Sequence, residues 1–197
     1  YVIVYNCIGD DGGLRTVKIT DDGTLSERSY QVWYDDDDGG SPEIIHVHDD
    51  VYAIVYAGPI LRQSCILKTI EILWNGDITL SRTIPPLAGA IDQISIDFIA
   101  NMTVRSPHIL PIDGPNDYYG ISYSIDSPTA NLWGKIVTVK IQDNGNILSL
   151  SKKDVTFEPF MCSSSYFIPI DDDIYGIVYR SEYSDGIIKT IEIGNDG

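Results

Sequence analysis

The chain has 197 residues, 43% of them hydrophobic, and a formal net charge of −16. That length suits one domain with a substantial core, or a section of a repeat array. The charge argues against nucleic-acid binding, which relies on basic patches, and no apolar run is long enough to embed the chain in a bilayer. The acidity is made of 23 Asp and only 6 Glu. Asp favours tight turns, because its short carboxylate bonds nearby backbone N–H groups.

Tyr1–Cys7, "YVIVYNC", has no charged leader region or cleavage site and is predicted to be a strand. The chain begins without Met and inside a repeat, and it ends inside one. A processed product or a piece of a longer protein is therefore expected. Next, "LRTVKITDDGTL" (14–25) alternates Val17 and Ile19 against Thr16 and Lys18, the period of a strand with one buried face. It runs into a DG turn, whose Gly tolerates positive φ. A more variable strand, "RSYQVWYD" (28–35), then leads to the acidic run Asp35–Asp38.

The same series recurs. "PEIIHVHDD" (42–50), "YAIVY" (52–56) and "LKTIEILWNGDI" (67–78) are followed by an insertion around Pro85-Pro86 and by "IDQISIDFI" (91–99). "HILPIDGPND" (108–117), "YGISY" (119–123), "IVTVKIQDNGNI" (136–147) and "DVTFEP" (154–159) form the next copy. "YFIPIDDD" (166–173), "YGIVY" (175–179) and "IKTIEIGNDG" (188–197) begin a last one. Thr16, Thr69, Thr138 and Thr190 stand 53, 69 and 52 residues apart, so the period is near 52 with one long insertion. The "YxIxY" strands are apolar on both faces, as central strands are.

Four short antiparallel strands per unit and no helix predict an all-β chain, a β-propeller of four-stranded blades. In blade order A to D the chain reads B-C-D, A-B-C-D, A-B-C-D, A-B-C. About four blades are expected in a single domain, with repeats near 1–40, 41–105, 106–160 and 161–197. A closed four-bladed ring, part of a larger ring, and two copies forming one eight-bladed ring all fit. An open array would leave apolar faces and strand edges exposed.

The pattern "IIHVHDDVYAIVYAGP…LKTIEI…NGDI" resembles a tandem propeller-type repeat of large secreted or surface proteins of archaea and bacteria. Residues 42–78 carry the nearest match, with weaker copies at 107–147 and 165–197. The resemblance implies an extracellular module, often among adhesion-type domains, and it transfers no catalytic residue. His46 fits the repeat's His, but Pro111 and Pro169 take its place elsewhere.

The candidate sites lie where the repeat breaks. Asp35, Asp36, Asp37 and Asp38 form either a solvated loop or a weak Ca²⁺ site, without the spaced D-x-D-x-D-G pattern. Asp49-Asp50 and Asp171–Asp173 are expected in hairpin turns. His46 and His48 alternate on one strand face without a third distant ligand. "MCSSSY" (161–166) has no paired base in view. Asn101-Met102-Thr103 is a glycosylation sequon. Trp33, Trp74 and Trp133 are candidates for stacking on sugars or for packing between blades. Cys7, Cys65 and Cys162 are an odd set, and Cys7 with Cys65 is the one pairing the repeat suggests.

These readings lead to a non-enzymatic extracellular structural or interaction module that binds protein partners, its own copies included. A carbohydrate-binding propeller and a propeller glycosidase or lyase are the alternatives. An enzyme would place carboxylates on strand A, which here offers mainly Ile, Val and Pro.

Overall fold

A computed structural model describes residues 1–7, 11–27, 31–35, 39–58, 64–79, 90–98, 103–112, 117–126, 133–150, 154–160, 162–181 and 183–194. Sixteen strands and no helix occur among them. Sheet I holds β1 (Val2–Asn6), β2 (Gly12–Ile19), β3 (Leu25–Glu27) and β4 (Val32–Asp35). Sheet II is β5 (Gly40–His48), β6 (Val51–Ala57), β7 (Ser64–Glu71) and β8 (Ala90–Phe98), in that order. Sheet III is β9 (Thr103–Pro111), β10 (Tyr118–Asp126) and β11 (Trp133–Ile141), with β12 (Ile147–Leu150) and β13 (Val155–Glu158) both on β11. Sheet IV is β14 (Cys162–Asp171), β15 (Ile174–Ser181) and β16 (Gly186–Glu192). All pairings are antiparallel, and the strand order follows the predicted units. The outer strand of sheets I and III is split in two, β3 with β4 and β12 with β13.

The DG signals form the same turn three times. Gly23, Gly76 and Gly145 have φ of 81°, 87° and 85°. Each donates its N–H to the carbonyl three residues back, on Thr20, Leu73 and Gln142. This is the hairpin whose last residue sits in the left-handed region, where glycine carries no Cβ penalty. Asp49-Asp50 lies in a turn between β5 and β6, and Asp172-Asp173 in the equivalent turn between β14 and β15.

Each sheet packs on the next in chain order. Leu14, Val32 and Tyr34 of sheet I meet Ile54, Tyr56, Ile66 and Ile70 of sheet II. Ala53, Val55, Cys65 and Leu67 of sheet II meet Ile121, Tyr123, Val137 and Val139 of sheet III. Ile112 and Ile136 of sheet III meet Phe167, Tyr175, Ile177 and Tyr179 of sheet IV. Period-2 alternation explains the pattern. In the "YxIxY" strands of sheets II, III and IV the Tyr and middle Ile face the preceding sheet, and in sheets II and III the residues between them face the following one. Gly120 belongs to the second set, and a Cβ there would overlap the Phe167 ring.

Two expectations are corrected. The alternation in "KTIEI" predicts a strand with one buried face, yet in β7 both Lys68 and Thr69 are buried beside Ile70. A strand between two sheets has no solvent face, so its polar residues bond across the junction. Cys7 and Cys65 form no bridge, and none of the three cysteines is in a disulfide. Cys65 lies on β7, fully buried between sheets II and III, while the Cys7 sulfur accepts a hydrogen bond from Gln31 Nε2 at 3.4 Å.

Candidate functional site

The first strands of sheets II, III and IV share a local device. Ser41, Ser106 and Ser164 have φ of 46°, 48° and 54°, each four residues before the aligned Ile45, Leu110 and Ile168. The pairing register shifts beside each of them, so these are bulges. A bulge re-aims the side chains after it. Two residues on stand Glu43, His108 and Tyr166, one per sheet.

These three meet in a row. Glu43 Oε1 lies 3.1 Å from His108 Nε2, and Glu43 Oε2 accepts the Ile109 N–H at 2.9 Å. The Tyr166 ring lies over His108 with centroids 4.0 Å apart. Together with Ser41, Ser106 and Ser165 they line an open groove of about 330 Å³. Burial pushes the Glu43 carboxyl up to about 7, against the Ile109 N–H bond that lowers it. Burial also pushes His108 down to about 4. Both shifts favour the neutral forms, so burial works against a full ion pair between them. The expectation that strand A offers mainly Ile, Val and Pro misses this row. The sequence signal was "SPE" against "SPH", the same bulge 65 residues apart.

A second device recurs at two junctions. Between sheets I and II, Tyr56 donates to Asp35 Oδ2 at 2.7 Å, and Lys68 Nζ donates to the Tyr34 carbonyl. Between sheets III and IV, Tyr179 donates to Glu158 Oε2, and Lys189 Nζ donates to the Phe157 carbonyl at 2.8 Å and to Glu158 Oε2 at 2.9 Å. Burial works to raise the Glu158 carboxyl, but the hydrogen bonds from Tyr179 and Lys189 outweigh it and hold the carboxyl low. Burial, followed by Asp35, raises the Tyr56 hydroxyl.

Asp35 thus serves a junction, while Asp36, Asp37 and Asp38 lie outside the described residues, as do Asn101 and Pro85-Pro86. His46 Nε2 is 2.7 Å from the Asp49 carbonyl, and His48 Nδ1 is 3.2 Å from Asp49 Oδ2. Among the described residues no group of three His, Cys, Asp or Glu is placed to hold a metal. Trp33 and Trp133 are half-buried, whereas Trp74 is 91% exposed. Trp74 borders a groove of about 380 Å³ between sheets I and II, shared with Tyr1, Asp49, Asp50 and Asn75.

The two end sheets differ from the inner ones. Ile188, Ile170 and Val178 on sheet IV are 60%, 50% and 38% exposed, and Tyr1 and Ile3 on sheet I are 80% and 47% exposed. Comparisons with family models, with curated proteins and with solved structures return no match for this chain.

Proposed function

We propose that the chain is an extracellular or cell-surface β-propeller-type module with a non-enzymatic task, the joining of protein surfaces, its own copies among them. The carrying observation is the pair of open end faces. Inner sheets bury both faces, while sheets I and IV present apolar residues to water. Contiguous apolar surface on a soluble domain marks an interaction site. The Asp-rich turns and the likeness of residues 42–78 to surface-protein repeats support an extracellular setting. Light scattering across a dilution series tests the reading. An assembly that dissociates on dilution is expected; a folded monomer at every concentration overturns self-association.

Carbohydrate binding is the second reading, favoured by exposed Trp74 beside Asp49 and Asp50 at the larger groove. An aromatic face beside hydrogen-bonding groups is the chemistry that stacks on a sugar ring. A glycan array in which Trp74→Ala binds as wild type does removes it. The Glu43 row lends less to a glycosidase, because its carboxylate faces an imidazole and not a second carboxylate.

A further inference from the structure

We infer that the two open faces are halves of one more junction, closed by a second copy of this chain, with sheet IV of one copy stacking on sheet I of the next. The inference deepens the self-association reading and rests on it.

The inner junctions supply the register. Facing the following sheet, Leu14, Leu67 and Ile136 occupy the position after which Ile188 comes as the fourth member. Leu110 and Ile112 pack on sheet IV just as Ile45 and Val47 pack on sheet III. Their counterparts Ile168 and Ile170 lie on the outer face beside Gly176. Facing the preceding sheet, Ile54, Ile121 and Ile177 are fully buried, and their counterpart on sheet I is the exposed Ile3. The positions that meet at every inner junction are thus the ones left open at the two ends.

A directional hydrogen bond sets the polarity. Thr16 Oγ1 donates to the Gly76 carbonyl and Thr69 Oγ1 to the Gly145 carbonyl, both at 2.7 Å. In each case the Thr of one unit reaches the turn glycine of the next. Of the other two, Thr138 is buried in sheet III and Thr190 is exposed on sheet IV. Among the described turn glycines the remaining acceptor is Gly23, with nothing within 4 Å of where its Cβ would stand. Stacking sheet IV on another sheet IV would set Thr190 against Thr190 and leave both Gly23 turns unused. The contact is therefore heterologous, head to tail.

The test uses two charge variants, Ile3→Asp and Ile188→Asp, at positions exposed in the single chain, so that folding, checked by circular dichroism, is retained. By light scattering each variant alone is expected to be monomeric where wild type assembles. Their mixture is expected to form a dimer with one chain of each, because each keeps the face the other lost. Thr190→Val is expected to weaken assembly about fivefold, the loss of one hydrogen bond. If wild type assembles and either charge variant keeps its size, or the mixture stays monomeric, the head-to-tail contact is overturned while self-association stands. If wild type is monomeric throughout, both fall.

Discussion

Between sheets I and II, the buried Lys68 crosses to the Tyr34 carbonyl beside the Tyr56–Asp35 pair. Between sheets II and III the same position is Val137, packed among Ile121, Val139 and Leu67. A charged pair of that middle junction lies instead on the first strands, where Glu43 meets His108. Antiparallel sheets of similar strand order thus build two kinds of junction. The apolar positions are interchangeable because dispersion and burial are non-directional. The polar ones are not, because a buried charge placed without its acceptor costs several kcal/mol.

Exchanging the two junctions is the strongest way to break this comparison. Val137→Lys puts an ammonium into the middle cluster and is expected to cost about 4 kcal/mol or more in urea unfolding. A loss under 1 kcal/mol would mean that the middle junction also holds an acceptor. Lys68→Met is expected to cost about 3 kcal/mol, because the buried Lys68 bond to the Tyr34 carbonyl is lost beside the half-buried Asp35 carboxylate. Adding Asp35→Asn should recover part of that loss, and strict additivity would show that the two residues do not act together.

The Glu43–His108 pair sharpens the comparison through pH. Glu43 is raised from 4.5 to about 7 in the fold, so its contribution to stability is complete below 4.5 and is lost as pH rises through 7. His108 is lowered from 6.5 to about 4, so its contribution is present above 6.5 and is lost as pH falls through 4. Between 4.5 and 6.5 the two slopes oppose and largely cancel. Glu43→Gln should unmask a loss of about 2 kcal/mol on acidification through this range. His108→Gln should unmask a similar loss as pH rises. Parallel pH profiles for wild type and both variants would remove the pair from the stability of the middle junction.

The smallest effect concerns a contact that the two junctions share. Thr69→Val removes the bond to the Gly145 carbonyl and the one accepted from the Asp92 N–H, and is expected to cost about 1.5 kcal/mol. Thr190→Val should leave the stability of a single chain unchanged. Equal losses in thermal unfolding would show that the Thr acts within its own sheet and not across sheets.

Much of the scaffold was legible because it is local. Three of the four "YxIxY" strands, β6, β10 and β15, are paired on both sides, and the three DG turns form with their glycines at positive φ. The long-range polar contacts were less legible. Thr69 looked like the solvent side of a strand, and its acceptor lies 76 residues away. Glu43 and His108 are 65 residues apart, and only the bulges at Ser41 and Ser106 turn them toward each other. Cys7 and Cys65 fell at related places in the repeat, but Cys65 is sealed inside a core cluster.

The sequence by itself determined strand order, turn chemistry and the face each apolar residue shows, because alternation and backbone preference act over a few residues. Only the tertiary structure decided which sheets bury those faces, which polar groups meet across them, and which two faces stay open. Those outcomes depend on how whole sheets stack, and hydrophobic burial alone does not specify partners.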